Sequence, residues 1–544
     1  MVLLSINFCV ILYTALIYII RRNIMINLIP KPQSLKTEKG AYKLSADCKI
    51  FTEIELPLLT APVREDGEIR IMKDSALSKE EYFLRVSADG VLIKASCANG
   101  AYYALQSLRM LGRFDEGKNE LPFVEIADKP KYEWRGVHLD ESRHFFGKEY
   151  VKKLIDELFR LKMNIFHWHL TDDNGWRIEI KKYPLLTEIG SERSYTHING
   201  WRRGDKDETP YGGFYTQEDI KEIVEYVEKR CVSIVPEIDA PAHFAAALAA
   251  YPHLACRDLK REVQGHFGGS FPRIHGMTDW NRPICLGKEE NIQFILDVYD
   301  EVCELFPFEY FHIGGDECDV TEWKTCPECQ RVMKERGFTN ERELQLMLTN
   351  RLCAYLKSKG RHMIGWNEVL RVDGIDKSAV AQYWEPRRDV KVEKFAADGG
   401  KIIMSKHQSF YIDQPYAVYP LKNTYNFAPE NYGVSKENVL GVEGELWTEW
   451  IAGPEKADFM YHPRMEAISE VGWTDIGNRS YGEFVKRYKN YKSIYQHLGI
   501  TYAVDRIAMP KNPFLRAKVA KLFKDGDPDY EFKLNMKYYN EGER

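Results

Sequence analysis

The sequence has little net charge of either sign. Its 76 Lys and Arg residues nearly balance its 81 Asp and Glu residues, which leaves a formal net charge of −5 at pH 7. A protein that binds the phosphate backbone of nucleic acid normally carries a basic excess on at least one face. The small acidic excess therefore gives no reason to expect nucleic acid as a partner.

Cysteine is sparse for the length of the chain, with 11 among 544 residues. Small secreted domains that depend on disulfides carry cysteine at much higher density. The count excludes a dense disulfide framework and leaves the redox compartment open. One close pair, Cys326-Pro327-Glu328-Cys329, has the spacing of half a zinc site. No second pair follows at ordinary spacing, so we expect a pair of structural thiols on a loop.

Long apolar runs are also rare, and the one that matters lies at the N-terminus. Residues 1–20, MVLLSINFCVILYTALIYII, carry no charge and are long enough to span a bilayer. The run lacks the basic start and the small-residue cleavage site of a secretory signal. Arg21 and Arg22 follow it, and the positive-inside rule would leave the body of the chain in the cytoplasm.

A start codon placed too far upstream explains this segment equally well. Met25 lies just before the structured part of the chain and is the alternative start. We therefore expect a membrane-anchored or exported protein if residues 1–20 are real, and a cytoplasmic protein otherwise. Contact with a membrane is expected only in the first case, in which residues 1–24 form a unit of their own.

The rest of the composition is that of a folded globular protein. Hydrophobic residues make up 44% and charged residues 29% of the chain. Roughly 150 residues per domain predicts two to four units for this length. Aromatic residues reach 13%, which suits a surface for sugar rings, but core packing is the favoured explanation of that number taken alone.

Residues 25–130 have the pattern of a small α+β domain. Two β-rich runs, Tyr82–Ala88 and Val91–Cys97, are joined by Asp89-Gly90, a dipeptide typical of a tight hairpin turn. Apolar residues at helical spacing then predict a helix over Gly100–Met110. This part of the chain contains no group of residues that suggests catalysis.

From residue 131 to residue 480 the pattern changes to repeated strand–loop–helix units. Short apolar runs, typical of strands buried on both faces, alternate with amphipathic helices such as Val151–Leu161. The alternation predicts the α/β class, with a (β/α)8 TIM barrel preceded by the small α+β domain. Residues 481–544 are expected to be a helical extension that caps the barrel. The predicted strands are Gly136–Asp140, Asn164–Leu170, Val232–Ile238, Tyr310–Gly314, His362–Trp366, Ala379–Trp384, Lys401–Ser405 and Leu440–Trp447.

Polar and aromatic side chains cluster where these strands end. In such a barrel the active site forms at the C-terminal ends of the strands. Three tryptophans stand at or near these ends beside carboxylates, and we interpret them as walls of a pocket. The side chains near the strand ends include Arg143, Asp172, His243, Trp366, Trp384, Tyr411, Asp413, Trp447 and Glu449.

The sharpest signal is Asp316-Glu317, which follows Gly314-Gly315 after the fourth strand. The glycines allow close approach of backbone or ligand. Adjacent residues on a strand point to opposite sides, so the pair should not flank one bond as two independent carboxylates. A retaining glycosidase of the ordinary type holds two such groups about 5–5.5 Å apart. One carboxyl is therefore a candidate general acid, and the other is a candidate for orienting a group of the substrate.

In this order the residues resemble glycoside hydrolase family 20, the β-N-acetylhexosaminidases. The resemblance covers about residues 26–480 and draws on every predicted barrel strand. The sequence departs from the family at Ala242, where the family usually has glycine, and its loops at 201–215 and 256–283 are long. The matching pieces are Arg135-Gly136 with Asp140, Arg143-His144-Phe145, His167-Trp168-His169 with Asp172-Asp173, Pro236-Glu237-Ile238-Asp239 with His243, and His312-Ile313-Gly314-Gly315-Asp316-Glu317, followed by the aromatic and acidic residues named above.

The resemblance implies an exo-acting, retaining β-N-acetylhexosaminidase. Its substrates would be oligosaccharides or glycoconjugates with terminal β-linked GlcNAc or GalNAc, and the 2-acetamido group of the substrate would be the nucleophile. Glu317 would protonate the leaving oxygen and then deprotonate water. Asp316 would hold the acetamido N–H and stabilise the oxazolinium intermediate, and Tyr411 would bind the acetamido carbonyl oxygen.

The remaining site residues would bind the sugar or tune the acid, again by resemblance. No metal or organic cofactor is needed for this chemistry. Trp366, Trp384 and Trp447 would enclose the acetamido methyl group, Arg143, Asp413 and Glu449 would bind hydroxyls, and Asp172 with His243 would stand behind Glu317.

A metal-dependent barrel hydrolase is the main alternative. His167 and His169 alternate on a strand, so both can face the barrel mouth with Asp239 and His312. That hypothesis explains the histidines but leaves the tryptophans and Tyr411 unused.

A sugar-binding module without catalysis is the third interpretation. The intact Asp316-Glu317 pair and Tyr411 argue against it. Binding alone does not require a carboxylic acid beside an acetamide clamp.

Overall fold

The computed structural model describes residues 26–60, 63–112, 120–267 and 282–542. The apolar segment predicted at residues 1–24 lies outside these ranges. Within the described ranges, every helix is too short or too polar to cross a membrane.

A six-stranded sheet covered by one helix forms the first part of the described chain. Its strands are β1 (Ser34–Lys43), β2 (Ile50–Thr52), β3 (Ile69–Lys73), β4 (Tyr82–Ser87), β5 (Gly90–Ala95) and β6 (Glu120–Asp128), in the order β1-β6-β4-β5-β3-β2. Strands β4 and β5 are antiparallel, and Ser87 pairs with Gly90 across the turn. The hairpin predicted at Asp89-Gly90 is therefore present. Helix α1 (Ala98–Leu111) packs its apolar face on this sheet.

Eight parallel strands then close into a barrel, which confirms the predicted fold class. They are β7 (Trp134–Asp140), β8 (Ile165–His169), β9 (Ser233–Glu237), β10 (Tyr310–His312), β11 (His362–Trp366), β12 (Val380–Tyr383), β13 (Lys401–Met404) and β14 (Val439–Leu446). Each strand pairs with the next along the chain, and β14 closes the ring on β7. All eight predicted strands are found, with small shifts at their ends.

Helices cover the outer face of the barrel and bury apolar side chains against it. The helix Gln217–Glu228 begins with a capping box, in which Thr216 and Asp219 exchange side-chain and backbone hydrogen bonds. The barrel interior near the strand starts is filled by a cluster around Trp134, Ile165 and Ile364. The α-helices between the strands are Lys148–Arg160, Leu185–Glu188, Gln217–Glu228, Ala245–Ala250, Glu289–Leu305, Pro327–Arg336, Arg342–Ser358, Val392–Ala397, His407–Phe410 and Leu421–Tyr425, and Pro454–Tyr461 and Arg464–Trp473 follow β14.

Buried polar contacts join the sheet of the first part to the barrel. The Arg135 guanidinium lies 2.7 Å from a Glu80 carboxylate oxygen, and the indole N–H of Trp473 donates to Asp128 over 2.9 Å. Both Arg135 and Trp473 are fully buried. Removing one partner would leave the other buried without a hydrogen-bond partner, which is energetically costly. These contacts therefore hold the two parts in one arrangement.

The last described part of the chain, from residue 481 to residue 542, is mainly helical. The Glu531 carboxylate accepts hydrogen bonds from the backbone N–H groups of Tyr416 and Ala417, each over 2.8 Å. These helices therefore brace the loop that carries Tyr411 and Asp413. The helices are Tyr481–Lys489, Lys492–Leu498, Asp505–Ala508, Pro513–Asp525 and Tyr530–Asn540.

Candidate active site

The chain turns sharply where β10 ends, and two glycines make that turn possible. Gly314 has a φ of +67° and Gly315 a φ of +92°, both in the left-handed region. A Cβ on Gly314 would lie 1.7 Å from Oδ1 of Asp239. The backbone N–H of Gly315 donates to the same oxygen over 3.2 Å. The two glycines thus let the backbone approach closely, as expected. The group that it approaches is the carboxylate of Asp239, which follows the neighbouring strand.

Asp316 and Glu317 both reach the same imidazole. Nε2 of His243 lies 3.6 Å from Oδ2 of Asp316 and 4.0 Å from Oε2 of Glu317. The expectation that the pair points to opposite sides is wrong, because β10 already ends at His312. Glu317 also has a φ of +41°, so strand alternation does not apply there.

His243 is held from behind by a buried carboxylate. Its Nδ1 lies 3.1 Å from Oδ1 of Asp172, whose other oxygen lies 2.9 Å from the Arg143 guanidinium. Burial alone would lower the pKa of His243, but the charges of Asp172 and Asp316 raise it well above its ordinary value. A positive imidazolium is therefore placed against the carboxylate pair.

The carboxyl group of Glu317 is suited to carry a proton. Burial raises its pKa, and the negative charge of Asp316 raises it further. His243 and Arg387 oppose this shift, and the Arg387 guanidinium lies 3.7 Å from Oε1 of Glu317. Opposing influences of this kind tune the pKa of a carboxyl group that gives and takes a proton.

Arg387 is a site residue that sequence reasoning missed. Its Nε lies 3.0 Å from Oε1 of Glu368, and its guanidinium lies 5.2 Å from the ring of Trp384. Burial and the charge of Asp316 raise the pKa of Glu368 to about 7. Glu368 was visible at the end of the fifth strand, whereas the only signal for Arg387 was its position shortly after Trp384.

Four aromatic side chains form a wall beside the carboxylate pair. Trp384 stacks on Tyr411 at 5.6 Å and 21°, and Trp447 lies 5.7 Å from Trp366 and 6.4 Å from Tyr411. Three different strand ends and the loop after β13 therefore contribute to one surface, which brings the three tryptophans named from the sequence together. Burial, together with the charges of Glu445 and Asp316, raises the pKa of Tyr411 well above its ordinary value. Its hydroxyl group stays a hydrogen-bond donor.

A second polar group, formed by Arg143, Asp413 and Glu449, is tied to the same wall. Arg143 lies 5.1 Å from the ring of Trp447. Its Nε and Oδ1 of Asp413 are buried and have no hydrogen-bond partner among the described residues. Burial raises the pKa of Glu449 to about 7, although Arg143 lowers it. Unpaired buried donors and acceptors are costly unless a ligand satisfies them, and sugar hydroxyls are able to do both.

The histidines of the metal hypothesis lie deeper in the barrel. His167 lies 2.7 Å from Glu443 and 3.2 Å from Glu237, and His169 hydrogen-bonds Glu237. Both imidazoles are buried, and the Trp447 ring lies 5.0 Å from that of His169. A hydrolytic metal needs an open position for water and substrate. The geometry favours a buried polar network over a metal site. In this network the indole N–H of Trp366 donates a hydrogen bond to Glu237 over 2.9 Å.

The long loop at 201–215 packs against the end of the first barrel strand. The backbone N–H of Phe145 donates to the hydroxyl of Tyr211 over 2.7 Å, and Trp201 lies 5.1 Å from Trp450. In the other long loop, residues 268–281 lie outside the described ranges. Its described end contributes Phe267, which contacts Trp450 at 5.5 Å.

The fold and the site together define a class of protein. A (β/α)8 barrel with a carboxylate pair, an aromatic wall and unpaired buried polar groups at its strand ends is typical of a glycoside hydrolase. The family model "Glycosyl hydrolase family 20, catalytic domain" matches residues 132–476, and the model "Glycosyl hydrolase family 20, domain 2" matches residues 52–129. The chain belongs to glycoside hydrolase family 20, which confirms the resemblance found in the sequence.

Known proteins agree with this assignment. A "Beta-hexosaminidase" of Porphyromonas gingivalis is 36% identical over 90% of this chain, and the match spans 65% of that protein. A "Beta-hexosaminidase" of Vibrio furnissii is 32% identical over 82% of this chain and 76% of its own length. The solved GH20 exo β-N-acetylglucosaminidase of Vibrio harveyi, in complex with N-acetylglucosamine, superposes with a TM-score of 0.78 at 29% identity. That superposition covers 88% of this chain and 78% of the other.

Proposed function

We propose that this protein is an exo-acting, retaining β-N-acetylhexosaminidase that uses the acetamido group of its substrate as the nucleophile. The observation that carries the proposal is the convergence of Asp316 and Glu317 on one imidazole beside the aromatic wall. The substrate would be an oligosaccharide or glycoconjugate with a terminal β-linked GlcNAc or GalNAc. The names of the relatives support this substrate class.

In this mechanism the acetamido oxygen attacks the anomeric carbon from within the same sugar. A tethered nucleophile reacts as if at very high concentration, which removes much of the entropy cost of the step. Asp316 accepts a hydrogen bond from the acetamido N–H and stabilises the positive charge that develops on the oxazolinium ring. The hydroxyl of Tyr411 donates to the acetamido oxygen, and the tryptophans keep water from that group, which strengthens both contacts.

Glu317 acts twice in the same cycle. Its raised pKa favours the protonated form, from which it donates the proton to the leaving oxygen. The resulting carboxylate then removes a proton from the water that opens the oxazolinium ring, which restores Glu317 and releases the sugar with its β configuration.

Exo action is supported by the polar group at the end of the aromatic wall. The buried Nε of Arg143 and Oδ1 of Asp413 are free to bind hydroxyls of a single terminal sugar. Glu449 is near enough to both for its charge to raise the pKa of Asp413 and to be influenced by Arg143. A sugar held by these groups on its far side would have its hydroxyls there bound to the protein and not joined to a further sugar.

The test compares nitrophenyl β-N-acetylglucosaminide and the galactosaminide with nitrophenyl β-glucoside, which lacks the acetamido group. We expect turnover of an acetamido substrate, no measurable turnover of the glucoside, and inhibition by a thiazoline analogue of the cyclic intermediate. Asp316→Ala and Glu317→Gln should each lower kcat by about 10²-fold or more.

Asp319→Asn is the matched control, because this exposed carboxylate lies just beyond the pair and bonds only to Thr321 among the contacts described. It should retain wild-type kcat. Cleavage of the glucoside at the rate of the acetamido substrates, or release of the α anomer first in an NMR time course, would contradict the proposed mechanism.

A further inference from the structure

Four cysteines from three distant parts of the chain meet beside the barrel. Cys256, Cys285, Cys326 and Cys329 have sulfur atoms that all lie within 4.8 Å of one another. The Sγ–Sγ distances are 3.9 Å for Cys256–Cys329, 3.7 Å for Cys285–Cys326 and 3.7 Å for Cys285–Cys329. None of the four forms a disulfide.

These distances are those of a tetrahedral sulfur shell. An ion with Zn–S bonds of about 2.3 Å holds its ligands about 3.8 Å apart when the geometry is tetrahedral. A disulfide would instead bring two sulfurs to about 2.05 Å. The spacing therefore fits one ion at the centre of the cluster better than it fits any pairing of the cysteines.

The backbone around the cluster is shaped for this arrangement. Cys326 precedes the helix Pro327–Arg336 and Cys329 lies in its first turn, where the helix N-terminus stabilises negative sulfur. Gly287 lets the chain near Cys285 pass close to this turn, since a Cβ there would lie 2.2 Å from the backbone of Glu328. Cys285, Cys326 and Cys329 are buried, with at most 5% of each exposed.

We propose that these four cysteines bind one structural zinc ion. Each thiol gives up its proton on binding, and the four thiolates fill the coordination shell, so no open position remains for a substrate or a reactive water. Under this proposal, Cys326 and Cys329 are two of four zinc ligands and not the simple thiol pair expected from the sequence. The second pair exists, but it lies upstream in the chain and its members are far apart in sequence, so no regular spacing revealed it.

The ion would join two segments that border the active site. Glu317 leads directly into the segment that ends at Cys326. Cys256 begins the loop 256–283, and Cys285 follows the end of that loop. Neighbouring contacts run between the same segments: the indole N–H of Trp323 donates to the Ile284 carbonyl over 3.1 Å. The zinc site would thus fix the segment that follows Asp316 and Glu317, without contacting the substrate.

The test measures metal content and does not depend on enzyme activity. The full chain is purified in reducing buffer without chelator, and zinc is determined by mass spectrometry against protein concentration. We expect about one zinc per chain and, by X-ray absorption, a shell of four sulfurs at about 2.3 Å. A chain that is free of zinc after dialysis against zinc-containing buffer, or a mass that shows disulfides among the four cysteines, overturns the proposal.

Variants assign the ligands. Cys326→Ser and Cys329→Ser should lose most of the zinc, whereas Cys353→Ser should keep it, because that buried thiol lies near Ser378 and outside the cluster. Zinc retained in full by both ligand variants would overturn the assignment. If the ligand variants fail to fold, the zinc content and sulfur shell of the wild-type protein still decide the question.

Discussion

Replacing His243 with glutamine should move the alkaline limb of the pH–rate profile upward. In the proposed mechanism, wild-type activity is lost as pH rises through the pKa of Glu317, because the general acid then lacks its proton. The imidazolium lies 4.0 Å from Glu317 and favours its ionised form. Glutamine removes that charge, so the pKa of Glu317 rises and activity persists to higher pH.

The size of the effect follows from the distance. Two unit charges 4 Å apart interact by about 1 kcal/mol in water and about 4 kcal/mol at an effective dielectric constant near 20, and 1.36 kcal/mol is about one pKa unit. The side chain of Glu317 is 34% exposed, which places the pair nearer the screened limit. We therefore expect a shift of about one pH unit.

The assay is kcat/KM for a nitrophenyl N-acetylglucosaminide between pH 4 and 10, with His497→Gln as the control, since His497 is exposed on a C-terminal helix. The control should keep the wild-type profile. An alkaline limb that stays in place or moves to lower pH in folded His243→Gln protein would refute the assignment of Glu317 as the acid tuned by His243.

Three further perturbations test the site. Arg387→Gln should also move the alkaline limb of kcat/KM upward. The shift should be smaller than for His243→Gln because the guanidinium, although only 3.7 Å from Glu317, is partly exposed and therefore more strongly screened; an unchanged limb would remove Arg387 from the site. Tyr411→Phe should lower kcat about 10²-fold with little change in melting temperature. A rise in KM with kcat unchanged would instead mean that the hydroxyl binds the substrate and the transition state equally. Gly314→Ala should destabilise the fold strongly, since its Cβ would lie 1.7 Å from a carboxylate oxygen, whereas Gly337→Ala, with a φ of +70° and no atom within 4 Å, should cost only about 1 kcal/mol in denaturant unfolding.

Local patterns were enough to predict most of the architecture. The hairpin at Asp89-Gly90 and the eight barrel strands follow from turn residues and short apolar runs, which are properties of neighbouring residues. The position of the site at the strand ends follows from the topology of a parallel barrel. For the same reason the aromatic wall could be expected before any distance was known.

The arrangement of groups within the site could not be predicted from the sequence to the same extent. Strand alternation placed Asp316 and Glu317 on opposite sides, but the strand ends at His312 and the glycine turn directs both carboxylates to His243. Arg387 reaches Glu317 from a loop whose course depends on the closed barrel. No local periodicity encodes either contact.

The amino-acid sequence alone therefore determined the order of the strands, the family and the side chains gathered at the barrel mouth, because hydrophobic periodicity, turn residues and short motifs act over a few neighbouring positions. The folded chain decided which carboxylates share an imidazole, which arginine opposes the acid, and how Cys256 and Cys285 complete a set of four thiols with Cys326 and Cys329. These are distances between residues far apart along the chain, and they are set by barrel closure, by left-handed glycine turns and by packing of loops on one another.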